Sequence, residues 1–324
     1  MALTPTDSRH AQQIQAGIAG RNRGHQFEHT LADTINNLTN KTVHPLTNDG
    51  HIFTGNPATI LLQYIVNEIK TPITDVRAFW LGGLATSGLG DALLTDNGTP
   101  ITGSKSDILL QLTTNNGIKT VGVSIKTCNK TTPTNDQMYF TTARAFCQLL
   151  KSNGIEVNSI AEKGLSMFCG DAGNRPIDLL TPTELSCRIS DPNRYFWEEL
   201  PLEAQKSWNS IFQEHQDEIT LLLFQKAYKD DPYPPDFLLH QTVRYENFTN
   251  CNIALFTMQE IVKLSRKHCG FVFSEYKIKK GTYKNDPNTH LAPRFGFIQF
   301  QRGGQKQHPT QLQFNLKAGY FKHI

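Results

Sequence analysis

An acid and a lysine lie on either side of a turn signal in the first half of the chain. Asp107 precedes a β-prone run, Asn115-Asn116-Gly117 is a turn signal, and Lys126 lies in the strand-like segment that follows. A hairpin folded at this turn would bring Asp107 and Lys126 side by side at its open end. This pair suits phosphodiester hydrolysis with a hard cation, because the carboxylate holds Mg²⁺ and the lysine stabilises charge or positions the attacking water. The alternative interpretation of this segment alone is a surface hairpin with a salt bridge.

The elements around the hairpin indicate an α/β fold with a mixed central β-sheet flanked by helices. Residues 24–38 form a predicted amphipathic helix with Glu28 at the edge of its apolar stripe, and a second helix starts at Asn56-Pro57. A third helix is predicted from Pro133-Thr134 to Gly154. The glycine-rich stretch 81–99 lacks the GK[ST] of a P-loop, so it is interpreted as a flexible connection near the site.

The second half of the chain predicts a helical segment up to residue 230 and a C-terminal α+β region after it. Short β-like pieces at 155–158 and 165–169 precede a largely helical stretch at 195–229, which ends at a proline-rich break. The segments predicted after the break are a strand at 252–256, a helix at 259–268, a strand at 271–280 and two terminal strands. The break predicts a soft boundary that separates residues 1–230 from residues 231–324.

Composition predicts a folded protein without a membrane span. Of the 324 residues, 38% are hydrophobic and 19% are charged, and the net charge of +3 permits an acidic partner without requiring one. No apolar run approaches the roughly 20 residues that a membrane span needs. The start, MALTPTDSRH, has no charged segment followed by an apolar core, so no secretory signal is expected. Six cysteines without a CxxC pair suit reduced thiols in a cytoplasm.

Asp107 and Ser124-Ile125-Lys126 resemble the PD-(D/E)XK nuclease core, in the variant form in which the middle acid is replaced. The resemblance covers roughly residues 24–150. Ser106 stands where proline is usual, and Ser124 stands where the family has Asp or Glu. Ser124 is a neutral and therefore weaker metal ligand. The resemblance implies a restriction-endonuclease-like core in residues 1–230, a DNA-recognition region in residues 231–324 and a cytoplasmic bacterial protein.

The resemblance also implies a set of site residues. Mg²⁺ would be held by Asp107 and the backbone carbonyl of Ile125, with Lys126 as the catalytic lysine and Lys105 on the adjacent phosphate. A further acid would come from Glu28 on the preceding helix, or from Asp136, with Gln137 beside it, at the start of the following helix. Which of the two acids compensates for Ser124 stays open at this point.

A more literal match lies downstream, where Pro235-Asp236 precedes Ser274-Glu275-Tyr276-Lys277 and so spells PD…ExK. The intervening residues contain a strand-like segment and a predicted helix, so the two pieces do not form a hairpin. We therefore rank this match below Asp107 and Lys126, and interpret residues 271–280 as a basic strand near DNA.

The C-terminal segment predicts a two-stranded ribbon with an amide-rich face. Its polar residues are candidates for DNA contact, since Gln and Asn pair with adenine edges and Arg and Lys with guanine. These candidates are Arg294, Gln299, Gln301 and Arg302 around the first strand, and Gln311, Gln313, Asn315 and Lys317 around the second. Lys277 joins them from the basic strand. A half-buried sheet with a solvated polar face is the alternative interpretation.

These expectations favour a type II restriction endonuclease that cleaves double-stranded DNA with Mg²⁺. The family resemblance implies that the products carry 5′-phosphate ends. A homodimer is expected, because two symmetric sites most simply cut a symmetric duplex. A structure-selective repair or recombination nuclease on the same core is an alternative. A DNA-binding protein with a catalytically degenerate core is another, since Ser124 replaces an acid.

Overall fold

A computed structural model describes residues 4–5, 7–39, 43–47, 50–84, 90–95, 97–128, 132, 135–225, 231–242, 247–268, 271–279, 281–303, 310–317 and 319–323. The chain divides into two compact units. The first unit comprises Met1–Asp136, Phe224–Ile261 and Ala318–Ile324, and the second comprises Gln137–Leu223 and Val262–Lys317. No helix in the described residues is long and apolar enough to cross a membrane.

Runs of strands are separated by runs of helices along the described part of the chain. The strands are β1 (Ile52–Gly55), β2 (Ile73–Trp80), β3 (Ile108–Thr114), β4 (Gly117–Thr127), β5 (Asp136–Thr141), β6 (Phe237–Gln241), β7 (Cys251–Thr257), β8 (Phe271–Tyr276), β9 (His290–Phe295), β10 (Ile298–Arg302) and β11 (Leu312–Leu316). The helices are α1 (Ser8–Asn36), α2 (Pro57–Ile69), α3 (Ala143–Ser152), α4 (Ser159–Cys169), α5 (Pro176–Leu179), α6 (Pro182–Cys187), α7 (Leu202–Glu214), α8 (Gln216–Gln225) and α9 (Met258–Arg266). Two 3₁₀ turns lie at Trp197–Glu199 and Tyr320–His323.

The first unit is built on a six-stranded mixed sheet in the order β1-β7-β6-β4-β3-β2. β3 and β4 form the predicted antiparallel hairpin, with Ile108 opposite Val123, and β4 pairs with β6 in parallel. Alternate residues of β3 and β4 enter the same apolar core as Leu31 and Ile35 of α1. The predicted α/β class with a mixed sheet flanked by helices is therefore confirmed.

The second unit contains a five-stranded sheet in the order β5-β11-β10-β9-β8. Its core is aromatic: Phe300 of β10 stacks on Phe212 of α7 at 5.3 Å between ring centroids, and Phe314 of β11 lies 4.7 Å from Phe146 of α3. The predicted terminal strands are confirmed as β10 and β11, which pair antiparallel.

Three predicted elements are wrong. Residues 155–158, predicted as a β-like piece, form a connection without a strand between α3 and α4. The helix predicted to start at Pro133-Thr134, two residues that lie outside the described ones, is preceded by β5 and begins only at Ala143. The aromatic and β-branched run before that point favours a strand, and the Thr142 side chain accepts the Ala145 amide as the helix cap. The β-like piece predicted at 165–169 lies inside α4, which Asn158 caps and Gly170 ends in a left-handed conformation.

The two units interleave along the chain, unlike the single division expected near residue 230. The chain returns to the first unit for β6 and β7, which complete the six-stranded sheet. The proline-rich segment is held within that unit, because Asp231 accepts the Lys105 amide at 2.6 Å and Asp236 accepts the Gly122 amide at 2.9 Å. The proline-rich break therefore lies within the first unit and does not separate the two units.

A buried ionic cluster stabilises the second unit. His290 contacts Glu198 through Nδ1 at 2.7 Å and Asp286 through Nε2 at 3.1 Å, and Ser190 Oγ donates to Asp286 at 2.6 Å. Since carboxylates only accept hydrogen bonds, this geometry fits a positively charged imidazolium. Burial alone would raise the pKa of Asp286, but the hydrogen bonds from Ser190, the Asn288 amide and His290 outweigh it and hold that pKa below its usual value.

His290→Gln should lower the free energy of unfolding by about 3–5 kcal/mol, because it leaves the buried Asp286 carboxylate without its cationic partner. His29→Gln is the matched control, since His29 and its partner Asp33 are both more than half exposed; we expect a change within about 0.5 kcal/mol. The contribution of Asp286 should be lost as the pH falls below about 4, because its folded pKa is the lower one. Urea unfolding at several pH values measures both effects, and equal stability of the two variants would contradict the prediction.

Candidate active site

The backbone fixes Asp107 at the end of the hairpin. Its amide donates to Val123 O at 2.9 Å, and its carbonyl accepts the amides of Leu81 at 2.9 Å and Gly82 at 3.1 Å. These bonds tie the residue before β3 both to β4 and to the segment that follows β2. The carboxylate is thereby held beside the last residues of β4.

The structure brings Asp107, Ser124 and Lys126 together, as the hairpin predicted. The Asp107 carboxylate accepts the Ile125 amide at 2.5 Å and the Ser124 hydroxyl at 3.4 Å. Lys126 Nζ lies 3.8 Å from Asp107 Oδ2 and donates to the Ile125 carbonyl at 2.9 Å and to Ser124 Oγ at 3.3 Å. Lys126 and Asp107 are each about one-fifth exposed, so a substrate can reach the pair.

Glu28 of α1 adds a second carboxylate to the site. Its side chain is only 6% exposed and accepts a hydrogen bond from Trp80 Nε1 at 3.1 Å. Burial and the negative charge of Asp107 raise the pKa of Glu28 to about 8, and the opposing effects of Trp80 and Lys126 are smaller. A Cβ at Gly82 would overlap Glu28 Oε2, so the absence of a side chain there makes room for this carboxylate.

The donor set fits a hard divalent cation. The negative charge of Asp107 disfavours ionisation of Glu28, and a cation between them would stabilise both carboxylates. Among the described residues, no group of three or more His, Cys, Asp or Glu side chains is placed to hold a metal ion. Mg²⁺ commonly uses one or two carboxylates and completes its shell with water and substrate phosphate. The Ile125 carbonyl, the other predicted ligand, accepts Lys126 Nζ here.

Asp136 does not occupy the position that the sequence predicted. It is the first residue of β5 instead of a helix start, and its carboxylate contacts His240 Nε2. His240 is buried on β6, where it lies beside Lys126 in the parallel register. The helix-dipole argument for Asp136 is therefore wrong, and Glu28 is the acid that lies within electrostatic reach of Asp107. Gln137 is exposed and belongs to the second unit.

Lys105 lies near the two charged residues of the hairpin. Its side chain is partly buried, and burial together with the charge of Lys126 lowers its pKa to about 7, against smaller opposite effects from Asp107 and Asp231. Ser106, at the position where proline is usual, is buried and donates to Tyr233 O at 2.7 Å. This hydrogen bond holds Ser106 in place near the start of β3, where a proline would instead fix the backbone φ angle.

The downstream PD…ExK spelling does not form a hairpin. Asp236 exchanges hydrogen bonds with Gly122, which borders the candidate site on β4, and its carboxylate is used for that contact. Glu275 lies on β8, which pairs with β9 in the other sheet, and Lys277 follows that strand. This arrangement agrees with the higher rank that hairpin geometry assigns to Asp107 and Lys126.

Asp231 is a positioning residue that the sequence did not indicate. Its carboxylate accepts the Ser104 hydroxyl at 3.0 Å and the amides of Lys105 at 2.6 Å and Tyr233 at 3.0 Å. It therefore anchors the segment that leads into Asp107.

Asp231→Ala should lower the free energy of unfolding by about 1–3 kcal/mol, because it leaves these donors without their acceptor. If the candidate site cleaves DNA, the rate should fall by at least about tenfold, since Asp107 loses its support. Denaturant unfolding and a single-turnover cleavage assay measure the two effects. Unchanged values in both would show that Asp231 does not position the site.

The C-terminal ribbon has the predicted alternation but a different exposure. Gln299 pairs with Asn315 and Gln301 pairs with Gln313 across β10 and β11. Gln313 is 8% exposed and Asn315 is 6% exposed, because both faces of β11 are covered. These two residues are therefore not on a free DNA-facing surface. Of the flanking candidates, Gln311 is half-buried and Lys317 is exposed.

Other predicted DNA contacts differ in how accessible they are. Gln301 and Lys277 are exposed, whereas Arg302 is about one-tenth exposed and pairs with Asp191 at 3.4 Å. Arg294 is half-buried and donates to the Gly296 carbonyl. Three of the candidates line a cleft of about 450 Å³ together with apolar and cationic side chains: Gln299, Gln301 and Arg302, with Phe168, Phe300, Tyr276 and Arg194.

The sequence indicated Asp107, Lys126 and Glu28 as candidates, but it did not indicate their neighbours Trp80, Gly82, Asp231 and His240. Trp80 ends a strand and Gly82 opens the glycine-rich stretch, and neither position carries a local signal of its contact with Glu28. Comparison with known protein families and with curated proteins finds no match for this chain.

Proposed function

We propose that this protein hydrolyses phosphodiester bonds in double-stranded DNA with Mg²⁺, at a site formed by Asp107, Glu28 and Lys126. The observation that carries the proposal is the convergence of two carboxylates and a lysine at the open end of one hairpin. The mixed sheet that holds this hairpin supports a restriction-endonuclease-like core. Electrostatic coupling between Glu28 and Asp107 favours Glu28 over Asp136 as the acid that compensates for Ser124.

The residues divide the chemistry between them. Asp107 and Glu28 would hold Mg²⁺, which when bound polarises the scissile phosphate and lowers the pKa of a coordinated water. Lys126 orients the attacking water and counters the negative charge that develops on the phosphate. Ser124 and the Ile125 carbonyl hold the lysine ammonium in place beside Asp107. Lys105 supplies a hydrogen-bond donor for the neighbouring phosphate, and the negative charge of that phosphate would favour the protonated ammonium.

We further propose that the protein is a sequence-specific type II enzyme that acts as a homodimer in a bacterial cytoplasm. Gln299 and Gln301 at the cleft of the second unit are suited to reading base edges, because an amide offers a donor and an acceptor together. The near-neutral net charge of +3 is compatible with a local basic surface for the phosphates.

Digestion of a large unmethylated DNA with purified protein and Mg²⁺, followed by sequencing of the ends, tests this function. Discrete fragments with 5′-phosphate ends support the type II enzyme. A smear, or cutting confined to mismatched or branched duplexes, supports the structure-selective nuclease instead. Omission of Mg²⁺ should stop cleavage, because the two carboxylates alone do not activate water.

A DNA-binding protein without catalysis is the second candidate, and Ser124 favours it. This residue is 1% exposed and places a neutral hydroxyl between Lys126 and Asp107, where an acid would hold the metal more firmly. Tight binding of duplex DNA with intact substrate after incubation with Mg²⁺ would support this candidate and exclude the nuclease.

A further inference from the structure

The N-terminal part of α1 lies largely outside the core of the first unit. Residues 11–26, all of which the structure describes, include no buried residue, and Phe27 is the first that enters the apolar core. A Cβ added at Gly17 or Gly20 would meet nothing within 4 Å. Sixteen helical residues span about 24 Å at 1.5 Å per residue. We call residues 11–26 the arm.

The arm is positively charged and contains no acid. After Asp7, the first Asp or Glu in the sequence is Glu28, whereas Arg21 and Arg23 lie between them. Both arginines are exposed, and neither forms a hydrogen bond or ion pair with a described residue. A helix with three glycines and no fully buried side chain gains little stability by itself, since each glycine costs about 1 kcal/mol relative to alanine. An acidic partner would complement this charge, whereas a second copy of the arm would repel it.

The arm leads directly into the candidate site. Arg21 precedes Glu28 by seven residues, which is almost two turns, so both lie on one side of α1 about 10 Å apart along its axis. His25 lies between them on that side, and its ring is 5.9 Å from Trp80, the residue that donates to Glu28. Burial lowers the pKa of His25, the charge of Arg21 lowers it further, and Asp107 opposes them. Arg21 and Asp107 therefore both act on the same side chain.

We propose that the arm binds the sugar–phosphate backbone of duplex DNA beside the bond that the site cleaves, with Arg21 nearest that bond. This inference rests on the proposed function for its substrate. The arm gives the substrate a basic track that ends at Asp107 and Glu28. Phosphate contacts of this kind set the register of a duplex on a protein without reading its sequence.

Salt dependence of binding tests the arm without requiring cleavage. Fluorescence anisotropy with a labelled duplex in EDTA gives the slope of log affinity against log salt concentration for the wild type and for Arg21→Gln/Arg23→Gln. Because each phosphate contact contributes about one unit to the slope, the double variant should lose about two units and bind more weakly at every salt concentration. Arg144→Gln/Lys163→Gln removes two exposed charges from the second unit, and this control should keep the wild-type slope.

The possible results distinguish failure of the proposed DNA binding by the arm from failure of the proposed nuclease function. A wild-type slope in Arg21→Gln/Arg23→Gln would overturn the inference, even if the wild type cleaves DNA. A wild-type slope together with a change from dimer to monomer in sedimentation would also overturn it and identify a second copy as the occupant. Loss of about two units supports the inference, and if the wild type then fails to cleave with Mg²⁺, only the proposed function is contradicted. Failure of the wild type to bind any duplex would overturn both.

Discussion

Replacing Lys126 with methionine should lower the rate of Mg²⁺-dependent DNA cleavage by about a thousandfold, with little change in DNA affinity. Lys126 Nζ lies 3.8 Å from Asp107 and is held by Ser124 Oγ and the Ile125 carbonyl, so its charge is fixed before substrate arrives. Removal of one such preorganised group that stabilises developing charge costs about a hundredfold to a thousandfold in rate. Methionine keeps the length of the side chain and removes only the ammonium.

Lys119→Met is the matched control, because Lys119 lies on the same strand and is exposed. It should retain the wild-type cleavage rate. Single-turnover kinetics with enzyme in excess separate the chemical step from binding and product release. If Lys126→Met cut as fast as Lys119→Met, the lysine would have no part in the reaction and the proposed mechanism would be wrong.

Glu28→Gln should stabilise the fold at neutral pH while it weakens the response to Mg²⁺. The pKa of Glu28 is raised from 4.5 to about 8 by burial and by Asp107. The folded state thus holds a proton that the unfolded state releases, so the free energy of unfolding falls as the pH rises from 4.5 to about 8. At about 1.4 kcal/mol for each pH unit, the effect reaches the order of 3 kcal/mol at pH 7. Glutamine carries no ionisable proton, and this pH dependence should be absent from the variant.

Bound Mg²⁺ should counter the loss of stability that the wild type shows as the pH rises. A bound cation favours the ionised carboxylate, so its binding should release a proton from Glu28 and strengthen as the pH rises toward about 8. In Glu28→Gln we expect Mg²⁺ affinity to fall by about a hundredfold, with a similar loss of cleavage at limiting Mg²⁺.

Urea unfolding between pH 5 and pH 8, with and without Mg²⁺, measures both effects of Glu28→Gln. Glu203→Gln is the control, since Glu203 is 68% exposed and should behave as the wild type does. A wild-type pH dependence in Glu28→Gln would contradict the burial argument. An unchanged response of Glu28→Gln to Mg²⁺ would contradict the role of Glu28 as a ligand.

The hairpin could be predicted from the sequence because its determinants are local. The turn at Asn115-Asn116-Gly117 and the β-prone residues on either side fix the register, and the register places Asp107 beside the end of β4. The apolar stripe of α1 likewise predicted which side of the helix would enter the core. It placed Glu28 at the edge of that side without indicating that the carboxylate would be buried.

The contacts that the sequence did not predict are made between segments far apart in the chain. Glu28 is buried because Trp80 and Gly82 enclose it, and Asp231 reaches the Lys105 amide across more than a hundred residues. The alternation of polar and apolar residues predicted the two faces of β11. It could not show that the polar face, which includes Asn315, would also be buried, because alternation distinguishes the faces without showing which of them is exposed to solvent.

Parallel cleavage assays of the wild type, Asp107→Asn and Glu275→Gln with Mg²⁺ test the central claim most directly. Asn keeps an acceptor for the Ile125 amide but removes the charge, and Glu275 is exposed on β8, so both variants should fold. We predict that the wild type and Glu275→Gln cut duplex DNA at the same rate, while Asp107→Asn binds it and leaves it intact. Cleavage by Asp107→Asn at the wild-type rate, with loss of cleavage in Glu275→Gln, would place the active site elsewhere in the chain.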